Sequence, residues 1–225
     1  MPDTPSFARA QAPALGEAAE PGLDRPGQAA AGVADAFVDR DHVVVREMLE
    51  GQVGLHAGQT LLADENVVLR ADLGLPAARQ VAIISGGGSG HEPAHAGYVG
   101  AGMLHAAVAG DVFTSPSTDA VLAAIRAAAG PAGALLIVKN YTGDRLNFGL
   151  AAERARAFGL NVGMVIVDDD IALPDLPQSR GVAGTLFVHK IAGAMAENGA
   201  SLDAVIDTAR RVIAHTRSIG ISLDT

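Results

Sequence analysis

The 225 residues include 27 Gly, six Phe and two Tyr but neither Trp nor Cys, with 49% hydrophobic residues and a formal net charge of −9. The lack of cysteine excludes a disulfide framework and a cysteine-based zinc site, and a negative chain without a Lys/Arg block argues against nucleic acid or anionic membrane as partners. What remains is a core of Ala, Val, Leu and Ile, the texture of an α/β protein with many tight strand-to-helix turns.

Residues 1–40, rich in Ala, Pro and acidic side chains, show no hydrophobic periodicity and are expected to be a flexible N-terminal extension ahead of one folded domain over 41–225. No apolar run there is long enough for a signal peptide or a membrane span, so a cytoplasmic location is expected. His42–Leu49 is expected to form a short helix, and Glu65–Arg70 a strand at the edge of a sheet. Val81–Ile84 reads as a buried strand that stops at Ser85 in a glycine-rich turn. Asp119–Ala129 is Ala-rich and helical, ended by Gly130-Pro131. Ala134–Val138 and Val162–Val167 are two further buried strands, separated by a helix over Arg145–Phe158 that Gly159 closes. Gly181–Asn198 and Ser201–Thr216 read as two closing helices, the second with Ser201 as its N-cap. The alternation predicts an α/β fold, a largely parallel sheet with helices on both faces.

Ligands of such a sheet sit beyond the carboxyl ends of its strands, where this sequence gathers Ser85–His91, Lys139–Asp144 and Asp168–Asp170. The run Gly86-Gly87-Gly88-Ser89-Gly90-His91 fails each familiar glycine motif at the same residue. A dinucleotide fingerprint and a nucleophile elbow both need Gly where His91 stands, and no Lys follows for a phosphate-binding Walker loop. His91 is therefore the residue that the loop presents. His91-Glu92-Pro93-Ala94-His95 matches the HExxH zinc pattern, but Gly90 and Pro93 deny it the mid-helix setting that aligns both histidines. His95 is better read as bonded to nearby backbone. Asp144 reads as an N-cap of the helix at Arg145, or more sharply as a carboxylate that takes a hydroxyl proton. Lys139 is either a surface cation or a ligand group at a strand end. Asp168, Asp169 and Asp170 read as a solvated acidic loop, His189 and His215 as packing or surface residues, and Tyr141 and Asn147 as loop supports.

Taken in order, Gly86–Pro93, Phe113-Thr114-Ser115-Pro116, Lys139-Asn140-Tyr141-Thr142-Gly143-Asp144 and Val167–Asp170 closely resemble the substrate-binding K subunit of dihydroxyacetone kinases, from about Asp41 onward. The resemblance implies a chain that binds dihydroxyacetone or a related small ketose and positions its hydroxyl for phosphoryl transfer, as part of a glycerone kinase of glycerol metabolism. It implies substrate contacts from Gly88, Ser89, Gly90, His91, Lys139 and Asp144. His91 would be the base or hydrogen-bonding partner of the reacting hydroxyl, and Asp144 would hold and polarise a hydroxyl. No metal or cofactor is expected on the chain itself. ATP with magnesium, or a phosphocarrier protein, is expected through an L-type nucleotide-binding partner, and the chain is expected to form a homodimer. The family also traps its substrate as a hemiaminal on a histidine of a second domain, in a motif that none of the seven histidines here matches. The chain is accordingly expected to be C-terminally incomplete, stopping before a second α/β subdomain. A second reading stays open: a truncated, non-catalytic ketose-binding or regulatory paralogue.

Overall fold

A computed structural model of the protein describes residues 43–172 and 178–221, so the extension expected over 1–40 lies outside the described residues. A helix, α1, runs through residues 43–55. Short strands β1 (Gln59–Leu61) and β2 (Val67–Arg70) precede β3 (Ala82–Ser89), β4 (Ala106–Val112), α2 (Thr118–Ala128) and β5 (Ala134–Lys139). The chain continues through α3 (Thr142–Ala157), β6 (Val162–Val167), α4 (Thr185–Glu197) and α5 (Leu202–His215).

The six strands form one sheet in the order β1-β2-β4-β3-β5-β6. β4, β3, β5 and β6 run parallel, while β2 is antiparallel to both β4 and β1. Strand alternation sends side chains to two separate cores. Ala82, Ile84, Leu136 and Val138 meet Val121 and Ile125 of α2 and Phe148 and Ala151 of α3 on one face. Ile83, Leu135, Ile137 and Val165 meet Val45 and Leu49 of α1, Val188 and Ala192 of α4, and Val205 and Ala209 of α5 on the other. This is the expected largely parallel α/β sheet with helices on both faces.

Several local expectations are overturned, each for a physical reason. β2 is not an edge strand, because the three-residue β1, too short and polar to show a period, lies outside it. β3 does not stop at Ser85 but continues through the glycines, which pair along β4 as Gly86 with Val108 and Gly88 with Gly110. These glycines serve close approach rather than turning: a Cβ on Gly86 would lie 2.3 Å from the Val108 carbonyl oxygen, and one on Gly88 2.6 Å from the Thr114 nitrogen. β4 itself was not foreseen, since Ala106-Ala107-Val108-Ala109-Gly110 carries little β-propensity and is a strand only by its place between β2 and β3. α3 begins three residues earlier than expected, so Asp144 stands in its first turn and the N-cap is Tyr141.

The acidic run is not a solvated loop. Asp168 is exposed, but Asp169 is fully buried and Asp170 nearly so. Asp169 accepts hydrogen bonds from the Val182 and Gly184 amides, at 2.8 and 2.7 Å, and from the Ser218 hydroxyl. Asp170 accepts from the Ala172 amide and pairs with Arg180. Asp169 thus satisfies open N–H groups at the head of α4, which starts at Thr185 rather than Gly181. Gly184 is glycine because a Cβ would lie 2.6 Å from the Asp169 carboxylate.

An Asp169→Ala variant is expected to lose about 3 kcal/mol of stability, because buried amides at the start of α4 lose a charged acceptor. Asp168→Ala, on an exposed side chain, should change it by less than about 0.5 kcal/mol. Urea unfolding midpoints of the two variants check the contrast.

Candidate functional site

The chain passes from β3 to β4 on one side and then crosses to β5 on the other, so the sheet reverses its winding at β3. Such a switch point leaves a crevice at the carboxyl ends of the strands. β3 pairs with β5 only as far as Ser85, and beyond it Gly86–Ser89 pair with β4 alone. In the gap lies a cavity of about 230 Å3 lined by Gly88, His91, Phe113, Ser115, Lys139, Tyr141 and Asp144. Gly88 comes from the end of β3, Lys139 from the last position of β5 and Asp144 from the first turn of α3. Phe113 and Ser115 come from the loop after β4, which Asn147 ties to α3 by donating to the Pro116 carbonyl at 2.8 Å. Gly143 lets this loop close in, since a Cβ there would stand 2.6 Å from the Ser115 hydroxyl.

His91 Nδ1 lies 3.0 Å from the Ala94 carbonyl oxygen, which only accepts, so Nδ1 carries the proton. Its Nε2 then accepts from Lys139 Nζ at 2.9 Å. Burial pushes the Lys139 amine below the ordinary lysine range, against the opposing attraction of Asp144. Burial likewise raises the Asp144 carboxyl, opposed by a hydrogen bond with Ser115 and by the charges of Lys139 and His91. Asp144 Oδ1 is buried without a hydrogen-bond partner. The cavity therefore offers one free, unusually basic carboxylate oxygen beside a Lys–His pair.

Of the six residues expected to touch substrate, the structure brings Gly88, His91, Lys139 and Asp144 together around this cavity. It places Ser89 and Gly90 differently. The Ser89 hydroxyl is buried and donates to the Gly110 carbonyl at 2.8 Å, and the Gly90 amide donates to the Glu92 carboxylate. Phe113 and Ser115 were not singled out as site residues, and their only sequence signal was the Phe-Thr-Ser-Pro run itself. Tyr141, expected as a loop support, forms part of the wall.

His95 is not bonded to backbone as expected. It is buried, with Nδ1 3.4 Å from the Ser85 hydroxyl, which itself donates to the Ile137 carbonyl at 2.6 Å. Residues 91–98 form turns ending in a short 3-10 turn, Ala96–Tyr98, so the HExxH histidines share no helix face. Their rings meet edge-on with centroids 5.8 Å apart. Among the described residues no three His, Asp or Glu side chains converge to hold a metal ion. Behind His95 stands His189 of α4, fully buried, with ring centroids 5.3 Å apart. Burial, and then the charge of Lys139, bring His189 down to about 3. His95 is lowered by burial first and by His189, Lys139 and His91 after it.

A family profile described as the Dak1 domain matches residues 50–225. Over 194 residues the chain is 54% identical to a dihydroxyacetone kinase of Citrobacter freundii, a match covering 84% of this chain and 34% of that protein. It is 51% identical over 183 residues to the dihydroxyacetone-binding subunit DhaK of PTS-dependent dihydroxyacetone kinase 1 from Listeria innocua, covering 80% of this chain and 55% of that one. The crystal structure of the native C. freundii kinase superposes with a TM-score of 0.73 at 54% identity, over 78% of this chain and 32% of the kinase. A dihydroxyacetone kinase operon co-activator, Dha-DhaQ, superposes with a TM-score of 0.69 at 39% identity, over 73% of this chain and 51% of the co-activator. The chain thus spans between about a third and just over half the length of these relatives.

The buried histidines carry a pH signature. The folded-state value of His189 lies below the ordinary 6.5, so its contribution to stability is complete above pH 6.5 and is lost as pH falls towards about 3. Urea midpoints of the wild type should fall more steeply than those of His189→Leu on acidification from pH 7 to about pH 4. Parallel slopes in the two proteins would show that His189 is accessible to protons in the folded state.

Proposed function

The chain belongs to the Dak1 domain family, and from that premise we propose that it is the substrate-binding part of a dihydroxyacetone kinase-type phosphotransferase. In this reading, dihydroxyacetone or a similar small ketose occupies the cavity around Asp144. The observation that carries it is Asp144 Oδ1, a buried carboxylate oxygen without a partner, which a ligand hydroxyl would satisfy. The hydroxyl oxygen then bonds to the phosphorus of the donor as the donor's own bond to that phosphorus breaks, and the hydroxyl proton passes to Asp144. Burial has already raised the affinity of this carboxylate for a proton. His91 serves differently from a free base, because its Nε2 is occupied by Lys139. Lys139, fixed in place by His91, instead turns its remaining N–H donors to the ketose oxygens and holds the molecule in line for attack. Gly88 lets the loop after β4 close over the end of β3 and wall the cavity, while Ser89 and Gly90 shape the loop through their own hydrogen bonds.

The phosphoryl donor, ATP with magnesium or a phosphocarrier protein, reaches this cavity through an L-type partner, as the resemblance implies. A cytoplasmic homodimer acting in glycerol metabolism belongs to the same proposal. Among the described residues no helix is long and apolar enough to cross a membrane. The likeness to the operon co-activator favours one second reading, a ketose-binding regulatory protein that performs no transfer. The two readings part at Asp144, whose proton-accepting role only the kinase requires.

Titration of dihydroxyacetone into the chain, followed by NMR, tests the proposal. The Gly88 and Asp144 amide signals should shift saturably. Asp144→Asn should weaken binding by about 10-fold or more, the equivalent of one hydrogen bond to a charged group. The same variant should raise stability at neutral pH by about 0.5–2 kcal/mol, because it removes a buried charge whose Oδ1 has no partner. Unmoved amide signals at saturating ketone would overturn the reading. Full phosphoryl transfer by Asp144→Asn with donor and partner supplied would remove Asp144 from the base role.

A further inference from the structure

Beyond Lys139 lies a second cavity, of about 270 Å3, into which His95, Tyr98, Thr185 and His189 face. His91, Lys139 and Tyr141 form the wall that it shares with the first. Among the described residues, five buried side-chain polar atoms have no hydrogen-bond partner. One is Asp144 Oδ1 in the first cavity, and the other four are His95 Nε2, Thr185 Oγ1 and both ring nitrogens of His189. Buried polar atoms in folded proteins are nearly always paired. Four unpaired ones around a single cavity mark a place for an occupant that brings the missing partners.

The chemistry of that occupant can be read from the atoms. The Ser85 hydroxyl spends its proton on the Ile137 carbonyl, so its contact with His95 Nδ1 has the histidine as donor. His95 Nε2 is therefore an acceptor in search of a donor. A neutral His189 offers one donor and one acceptor, and Thr185 offers a hydroxyl that does both. No carboxylate lines the space, and the Lys139 amine in its wall disfavours a cation. An anion without protons fails at His95 Nε2. Hydroxyl groups, which donate and accept, match all four atoms, and Ala94, Val182 and Leu186 between them suit the C–H faces of a short carbon chain. The space exceeds that of one or two waters at about 30 Å3 each.

We propose that this second cavity is a binding site for a small neutral polyol, held through its hydroxyls by His95, Thr185 and His189 and separate from the cavity around Asp144. The site stands whether or not a ketose fills the first cavity. It is also placed to sense what the first cavity holds, because a ligand in either one touches the Lys139–His91 pair.

The test is NMR of the intact chain with labelled histidine rings, titrated with glycerol and with erythritol. The ring signals of His95 and His189 should shift saturably, with a dissociation constant in the millimolar range. Thr185→Val, which keeps the side-chain shape and removes only the hydroxyl, should weaken that response about 10-fold. It should leave the Gly88 response to dihydroxyacetone unchanged. Ring signals that ignore both polyols while Gly88 answers dihydroxyacetone mean a cavity filled by water alone, and overturn this site without touching the kinase reading. A saturable shift indifferent to Thr185→Val also overturns it. A response at His95 with silence at Gly88 supports the polyol site and counts against the ketose reading.

Discussion

Backbone approaches backbone at Gly86, Gly88 and Gly110 more closely than any side chain would permit, and the site depends on that approach. A Cβ at Gly110 would lie 1.9 Å from the Thr114 carbonyl oxygen, and one at Gly88 would run into the Phe113 and Thr114 backbone. These absences allow the loop after β4 to fold back over the end of β3 and bring Phe113 and Ser115 to the cavity. β3 can then run on as a strand past its last pairing with β5, which opens the crevice. Glycine weakens an isolated strand by its conformational freedom, so this stretch owes its extended form to its neighbours. Packing on both faces of the sheet supplies the stability that the glycines give up.

Charge in the site is arranged against that stability. Asp144 and Lys139 are buried in spite of their charges, each displaced by burial towards its neutral form. Paired fully with one another they would form a closed ion pair with nothing left for a ligand. Lys139 instead spends a proton on His91, and Asp144 keeps Oδ1 free. Asp169, just past the end of β6, shows the opposite solution. Its carboxylate is saturated by the Val182 and Gly184 amides and the Ser218 hydroxyl, and it holds structure rather than ligand.

The contrast explains how far the site was legible in the sequence. Buried runs such as Val81–Ile84, Ala134–Val138 and Val162–Val167 announce strands because β-branched residues concentrate there, and the groups that follow them sit at the carboxyl ends as the fold requires. β4 carries no such signal, so the loop it leads to, with Phe113 and Ser115, was invisible as a wall of the site. The acidic run misled because composition says nothing about partners. Asp169 can be buried because amides 13 and 15 residues later in the chain, and the Ser218 hydroxyl, donate to its carboxylate. His189 was readable as a packing residue, but its lack of any hydrogen-bond partner is a property of the assembled cavity and has no trace in sequence.

Strand parity then fixes how the two cavities relate. Leu135 and Ile137 of β5 face α1, α4 and α5, whereas Leu136 and Val138 face α2 and α3. Lys139 continues the first series, so its side chain leaves the strand towards α4 and the buried histidines. Gly87 has the same parity on β3, and a Cβ there would come within 3.7 Å of both Lys139 Nζ and His95 Nε2. Asp144 approaches from α3 on the other face, and its charge meets that of Lys139 only because β5 ends at that residue. The amine at the strand end thus lies, with His91 and Tyr141, in the wall that the two cavities share. Moving it by one residue would turn it into the core under α2 and α3 and take the amine out of that wall.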